Sequence, residues 1–526
     1  MRKKEPLLQR YSRYLLISKQ ARIAFFSALL FGLFCHGTGL LNKLSHQDDI
    51  ANLFGFGATI TSGRWMLHLL NWMEGLLFGT GSASLPLFNG LVSVLCVGLS
   101  CALLVGLLKI RNPVYCALLG CLMVAFPVMT ALFSYMFTSY PYMIGFLMMI
   151  VSACLICRNT PWEGKLIGIL MGGAAIGVYQ AFLPVLLGVV LIYDAVILTE
   201  EKSAWILLRR AGFQALYVSG VMLVYFAANR FFLTWFQLTL TSYQGIDQMG
   251  VISVSTLLER CGKAYRAFFL PPRNVAEDMF PGTLYYLYYV ILAANVLLAL
   301  LRIIRMRKAG KLKASLLGVL FLMIPLASNF IYIMSEEVHG LMVFGQVTQF
   351  LLLVAQLDRW ENRAFRIMKE LPSGQRKRVQ IVSMTASLIL AVVCIMYARF
   401  DNQCYLKDTL QQQEAMSYYT TLITQIKSQQ GYKPDTQICF VNDWKNLDPT
   451  IYDLEEMNFI HLNLYGRSTT EYIHIAKEFF MRAWCGFEPN WYWGENPEAW
   501  PEVQAMPSYP ADGSIQMIRD VLIVKF

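Results

Sequence analysis

The chain has 526 residues, of which 56% are hydrophobic and only 15% are charged, and its mean hydropathy is +0.46. Soluble domains carry about 25% charged residues, so this composition excludes an ordinary soluble protein and predicts a polytopic membrane protein. The net charge of +10 does not indicate a nucleic-acid partner, because lysine and arginine gather in the cytoplasmic loops of proteins embedded in a lipid bilayer.

The first 21 residues, "MRKKEPLLQRYSRYLLISKQA", are basic and amphipathic. No small-residue cleavage site follows a short apolar core, so we expect no cleavable signal peptide. Segment 1–21 is predicted to lie on the cytoplasmic side, along the lipid headgroups.

Apolar stretches of about 20 residues predict membrane spans. Stretches of this kind cover 22–42, 86–108, 113–131, 141–157, 212–230, 283–301, 314–334, 340–357 and 380–398. A further stretch, 165–198, is too long for one span, and basic residues flank both of its ends. Because the positive-inside rule assigns both basic flanks to the cytoplasm, the stretch must cross the membrane an even number of times. We therefore predict two crossings joined by a tight turn near "VYQAFLP" (178–184). The result is an α-helical bundle of about eleven spans, with the N-terminus inside and the C-terminus outside.

This topology divides the chain into a transmembrane domain, 22–398, and a C-terminal domain, 399–526. The transmembrane domain has a first outer loop at 43–85, a short outer loop at 132–140 and a large outer loop at 231–282. The large loop fits least well because it carries four basic residues, although long loops obey the positive-inside rule less strictly. The C-terminal domain is predicted to be a small extracytoplasmic α/β domain. Its predicted strands are 438–441 and 521–526, and "STTEYIHIAKEFFMRAW" predicts a helix.

Most of the 12 cysteines lie in apolar runs, where cysteine acts as a small hydrophobic residue. The pair Cys154 and Cys157 matches C-x-x-C but has no second ligand pair, so we predict no metal or redox role for it. Cys404, Cys439 and Cys485 could form one disulfide, whose pairing the sequence leaves open.

The polar residues best suited to chemistry fall on the predicted outer side. They are Asp48, Asp49, Arg64, His68, Tyr179, Gln180, Arg266, Arg273, Glu336 and His339. Each has a plain structural explanation, such as a solvated acidic loop, an interfacial aromatic belt or a hydrogen-bonded surface histidine. Their shared face instead indicates a cavity for a charged, amphiphilic substrate.

A lipid-phosphate sugar donor would require these residue types. The acceptor hydroxyl loses a proton as it attacks, so a carboxylate must lie within hydrogen-bond reach. Two adjacent carboxylates can raise the pKa of one of them, or hold a divalent cation. The departing phosphate gathers negative charge and needs arginine, lysine or a metal beside it.

Four segments resemble the bacterial glucosyl transferase II family, polytopic glycosyltransferases of the GT-C fold related to O-antigen glucosyltransferases. They are "HQDDI", "SGRW", "GVYQAFLP" and the ending "MPSYPADGSIQMIRDVLIVKF". The resemblance implies a glucosyltransferase on the outer face of the bacterial cytoplasmic membrane. Its donor would be a polyprenyl-phosphate sugar, and its acceptor a cell-surface glycan such as O-antigen or another wall polysaccharide.

The resemblance also implies roles for particular residues. Asp48 or Asp49 would be the base of an inverting transfer, with Asp49 favoured, and Tyr179 and Gln180 would contact sugar. The remaining assignments rest on predicted topology alone. Phosphate contacts are assigned to Arg64, Arg266 and Arg273, sugar contacts to Glu336 and His339, and a further substrate contact to His68. A divalent cation, Mg or Mn, stays open, with Asp48 and Asp49 as its ligands if one binds.

Two other functions compete with this interpretation. A lipid-linked sugar flippase or other transporter should carry charged groups at mid-membrane, often on broken helices. The predicted spans are nearly free of charge, which favours chemistry at the outer rim. A sensor or assembly protein ranks last because the inner loops are short.

Overall fold

The computed structural model describes residues 18–45, 47–79, 81–158, 160–241, 254–270, 283–308, 310–335, 338, 340–367, 373–442 and 471–526. The chain divides into two compact units. The helical unit comprises Met1–Asn42 and Phe54–Asn402, and the tail unit comprises Lys43–Leu53 and Gln403–Phe526. Segment 43–53, predicted as part of a loop of the transmembrane domain, therefore belongs to the tail unit.

Apolar runs form helices because, in lipid, a helix satisfies its own backbone hydrogen bonds. The longer helices up to the first large gap are α1 Lys19–Leu41, α2 Gln47–Ala51, α3 Trp65–Phe78, α4 Pro86–Leu108, α5 Pro113–Ala125, α6 Val128–Ser134, α7 Met136–Cys157, α8 Trp162–Val178, α9 Leu183–Tyr193 and α10 Ala204–Trp235. Beyond it lie α11 Val254–Phe269, α12 Thr283–Arg307, α13 Lys311–Ser328, α14 Thr348–Ile367, α15 Ser373–Lys427 and α16 Glu471–Cys485.

Among the described residues, nine helical segments are long and apolar enough to cross a membrane. They are α1, α4, α5 with α6, α7, the segment Gln180–Glu201 that contains α9, α10, α12, α13 and α15. The protein is therefore a polytopic, mostly helical membrane protein. The N-terminal segment 1–17 lies outside the described residues.

The predicted turn near 178–184 is confirmed. Helix α8 ends at Val178, a 3-10 turn covers Gln180–Phe182, and α9 begins at Leu183 with Pro184 in its first turn. Proline suits that position because the first N–H groups of a helix have no intrahelical partner. Helix α8 has 17 residues, at the lower limit for a span.

The prediction of a regular span from 340 to 357 is wrong at its start. Two 3-10 turns cover Gly340–Met342 and Phe344–Val347, and α14 begins only at Thr348. A Cβ at Gly345 would lie 2.1 Å from the Ser328 carbonyl oxygen, so the chain here packs against the end of α13. Segment 132–140, predicted as an outer loop, is largely helical and mostly buried in α6 and α7.

Contacts at one end of the helical unit join the starts and ends of several helices. Lys109, after α4, pairs with Glu201 at 2.5 Å. The Asp358 carboxylate in α14 accepts hydrogen bonds from the backbone N–H groups of Arg111 and Asn112, just before α5. Arg210 in α10 donates to the Ile156 carbonyl near the end of α7. We call this the basic end.

Over its described residues, the tail unit contains a four-stranded sheet in the order β2-β1-β4-β3. The strands are β1 Gln437–Val441, β2 Asn490–Trp491, β3 Ile515–Ile518 and β4 Val521–Lys525, so both predicted strands are confirmed. Strand β1 is parallel to β2 and β4, and β3 is antiparallel to β4. The predicted helix near 468–484 is confirmed over the described residues of α16.

Candidate active site

The "SGRW" motif forms a turn that two other elements of the helical unit hold in place. A 3-10 turn, Ile60–Ser62, is followed by Gly63 at φ 71°, and α3 begins at Trp65. The Gln180 amide donates to the Ser62 carbonyl at 2.7 Å and lies 3.3 Å from the Tyr225 hydroxyl. The turn therefore depends on the predicted hairpin and on α10 for its conformation.

Arg64 lies beside a stacked pair of tyrosines. The rings of Tyr142 and Tyr179 are 4.6 Å apart with an interplanar angle of 13°. The Arg64 guanidinium carbon is 5.3 Å from the Tyr179 ring centroid and 6.0 Å from that of Tyr142, within range of a cation–π interaction. This interaction holds the guanidinium beside the two rings.

The Arg64 side chain is half-buried and lacks an acidic partner in the described part of the chain. Its Nε finds no hydrogen-bond acceptor there, and none of the ion pairs between described residues includes it. Burying a cation without a counter-charge costs free energy. The arrangement is therefore suited to an anionic ligand such as a phosphate, which guanidinium groups bind through two parallel hydrogen bonds.

The neighbouring aromatic residues complete the surroundings of this turn. The Trp65 indole stacks on Phe232 at 5.7 Å and fits against Gly177, where a Cβ would lie only 2.5 Å from the indole. His68, one turn further along α3, contacts Phe236 edge-to-face at 5.2 Å. Burial lowers the pKa of His68 below its ordinary value, which favours the neutral imidazole near pH 7.

Gly63→Ala should disturb this turn. A Cβ would lie 2.7 Å from the Tyr225 hydroxyl and 2.8 Å from the Gln180 amide nitrogen, at a positive φ that alanine adopts with strain. We expect a loss of about 1–3 kcal/mol of stability, seen as a lower Tm in thermal unfolding of the detergent-solubilised protein. Gly55→Ala is the matched control, because a Cβ there would meet nothing within 4 Å. Equal Tm values for the two variants would contradict this account of the turn.

The two aspartates of the "HQDDI" segment lie in α2, within the tail unit. Ile50 is buried in a core with Tyr419, Phe480 and Leu522, which fixes the segment against α15, α16 and the sheet. Asp49 is fully buried and pairs with Lys43, whereas Asp48 is half-buried. The one-residue offset on the helix therefore gives the two carboxylates different surroundings.

The ion pair also affects Lys43. Burial lowers the pKa of its ammonium group below the ordinary value, and the Asp49 carboxylate opposes that shift. Asp48, Asp49 and Lys43 are all fixed by residues of the tail unit, because Lys43–Leu53 clusters with Gln403–Phe526. Over the described residues, no group of three or more His, Cys, Asp or Glu side chains could hold a metal ion.

The other predicted site residues do not join either group. Arg266 is exposed on α11, a helix that packs through Ala264 and Ala267. Arg273, Glu336 and His339 lie outside the described residues. The structure therefore brings together Arg64, Tyr179 and Gln180, with His68 one turn away from Arg64.

Sequence reasoning missed three residues of these groups. Tyr225 contacts Gln180. It is a polar residue four positions before Asn229 in an apolar run, and residues at that spacing lie on the same face of a helix. This spacing was a signal that the two side chains form a polar patch. Lys43 lies six residues before Asp49 and was read only as part of a loop. Tyr142, at the start of the predicted span 141–157, forms one half of the stacked pair with Tyr179.

Comparison with known proteins identifies the family. The sequence model described as glucosyl transferase GtrII matches residues 37–351, which is more than half of the chain and includes both aspartates, Arg64 and Tyr179. No curated protein and no solved structure matches the chain. The protein belongs to the glucosyl transferase GtrII family, and it is a glycosyltransferase embedded in a membrane.

Proposed function

We propose that the protein transfers a sugar, glucose by its family, from a polyprenyl-phosphate donor to a cell-surface glycan. The reaction would take place on the outer face of the bacterial cytoplasmic membrane, in a GT-C-like bundle of about eleven spans. The observation that supports this best is Arg64, a half-buried cation without an acidic partner among the described residues, held over two stacked tyrosines.

The proposed chemistry is a single inverting displacement. The acceptor hydroxyl gives its proton to a carboxylate while its oxygen attacks C1 of the sugar. The bond between C1 and the phosphate oxygen breaks, and polyprenyl phosphate leaves with the bonding electrons. Arg64 would bind the phosphate and stabilise the charge that develops on it, and the buried, stacked tyrosines would hold the guanidinium in position.

The surroundings of the two aspartates suggest separate roles for them. Asp48 is half-buried, so its carboxylate is the more accessible base. Asp49 is fully buried in its pair with Lys43 and would hold the segment in position. This assignment reverses the preference for Asp49 that the sequence favours, because a base must reach the hydroxyl that it deprotonates.

A divalent cation is compatible with the residues present but has few ligands among them. Asp48 and Asp49 would hold it, and it would supply further positive charge to the leaving phosphate. Since Asp49 already pairs with Lys43, the chain itself provides a cation next to this segment.

The orientation of the protein follows from the positive-inside rule, which assigns the basic end to the cytoplasm. Tyr179 lies one helix length from that end, because α8 runs 17 residues from Trp162 to Val178, roughly 25 Å. Arg64 and the stacked tyrosines would then lie near the outer face, where a lipid-linked sugar exposes its sugar.

Epitope tags test this orientation. A tag after Asp512, in an exposed turn of the tail unit, should bind antibody in intact spheroplasts. A tag after Gly310, before α13 at the basic end, should bind only after the membrane is permeabilised. The reverse pattern, or equal access to both tags, would contradict a transfer reaction on the outer face.

A further inference from the structure

Four arginines at the basic end of the helical unit converge on one carboxylate. Arg302 and Arg305 come from α12, and Arg359 and Arg363 come from α14. Their guanidinium nitrogens lie 3.1, 3.9, 3.3 and 3.0 Å, respectively, from the Glu200 carboxylate oxygens. Four positive charges and one negative charge leave this cluster with a net charge of +3.

Some donors of this cluster are buried without acceptors. Arg302 is only 5% exposed, and its Nε has no hydrogen-bond partner among the described residues. The same holds for Nε and Nη2 of Arg359 within that part of the chain. Buried charged donors without partners cost free energy, and like charges so close together repel one another. The cluster is therefore incomplete without a further anion.

A cleft opens beside these arginines. It is open to solvent, and the four arginines line it together with Leu298, Leu301, Gln356 and Trp360. Glu200 does not line the cleft, so guanidinium groups face it without the carboxylate that they share. Leu301 is 51% exposed on α12, as are the apolar residues Leu297 and Ile304 at 58% and 63%, so the cleft adjoins an exposed apolar face of this helix.

We propose that this cleft binds the phosphate headgroup of an anionic membrane phospholipid. Guanidinium groups bind phosphate oxygens through paired hydrogen bonds, and the exposed side chains of Arg305 and Arg363 would donate them to the headgroup, whose charge would offset that of the buried Arg302 and Arg359. The leucine and tryptophan side chains beside the arginines suit the glycerol and the first acyl carbons of a lipid. A free phosphate ion has no apolar part that would contact these side chains. The cleft is at the end of the helical unit remote from Arg64, so it is distinct from the proposed donor site.

The test measures binding of short-chain phosphatidylglycerol to the purified full-length protein in neutral detergent, by native mass spectrometry. Short-chain phosphatidylcholine and inorganic phosphate are the comparison ligands. In the cleft variant, Arg305→Gln with Arg363→Gln, phosphatidylglycerol should bind about 30-fold more weakly, because each arginine contributes about fivefold. These two side chains are 43% and 42% exposed, so the fold should tolerate their loss.

A matched variant controls for total charge. Arg209→Gln with Lys311→Gln also removes two exposed positive charges at the basic end, outside the cleft, and should weaken binding by less than about threefold. Equal weakening in both variants would show general surface attraction and overturn the proposal. Equal binding of phosphatidylcholine by the wild-type protein would also overturn it, and this comparison requires no variant. Displacement of the lipid by an equal concentration of inorganic phosphate would identify a free-phosphate site instead.

Discussion

Asp48→Asn is expected to lower the rate of sugar transfer by about 10²- to 10⁴-fold, because the amide cannot accept the proton of the attacking hydroxyl. The side chain is half-buried and keeps nearly the same shape, so the amount of folded protein in the membrane should not change. The measurement is transfer of radiolabelled sugar from polyprenyl-phosphate glucose to envelope glycan of the source organism. Asp512→Asn, an exposed aspartate of the same unit, should behave as the wild type.

Asp49 provides the comparison that separates catalysis from positioning. Asp49→Asn leaves Lys43 without its buried carboxylate, so this variant should lose stability as well as activity. Lys43→Met combined with Asp49→Asn should restore much of the stability and part of the activity, since the coupled charges are removed together. If Asp49→Asn and the double variant are equally inactive and fully stable while Asp48→Asn is active, then Asp49 is the base. If all three variants retain wild-type transfer, then the segment is not catalytic.

Arg64→Gln is expected to lower transfer by about 10²- to 10³-fold, because it removes a fixed cation that would stabilise the leaving phosphate. Arg64→Lys should recover only part of this loss, since an ammonium group keeps the charge but cannot stack on Tyr179 or bind phosphate with two parallel bonds. The loss should appear mainly in kcat, since the charge on the phosphate grows in the transition state.

Arg230→Gln is the control for Arg64. Arg230 is exposed near the end of α10, and its replacement removes one positive charge from the same end of the helical unit. We expect its transfer rate to stay within about twofold of the wild type, as for most surface substitutions. Equal losses in Arg64→Gln and Arg230→Gln would assign the effect to surface charge instead of phosphate binding.

The sequence predicted the helices well because a span must be both long and apolar, and this constraint is local. It failed at 340–347, where Gly345 lies against the Ser328 carbonyl, a contact between segments that no window of residues reveals. The turn at 178–184 was predictable because basic flanks on both sides of one apolar stretch permit only an even number of crossings.

The sequence identified several residues of the candidate site, but it did not predict which of them contact one another. "SGRW" and "GVYQAFLP" were both singled out, but their contact through Ser62 and Gln180 depends on packing between distant segments. The aspartate pair was assigned to a loop of the transmembrane domain because it directly follows a span. Its place in the tail unit depends on Ile50, one apolar residue whose core partners lie more than 360 positions further along the chain.

The central claim is that the protein transfers a sugar and does not simply move a lipid-linked sugar across the bilayer. The most direct measurement uses the purified protein in liposomes with radiolabelled polyprenyl-phosphate glucose and envelope glycan from the source organism. We predict label on the glycan and release of polyprenyl phosphate in equal amounts, with both lost in Asp48→Asn. Movement of intact labelled donor between leaflets, with no label on the glycan and no polyprenyl phosphate released, would contradict the account and indicate a flippase.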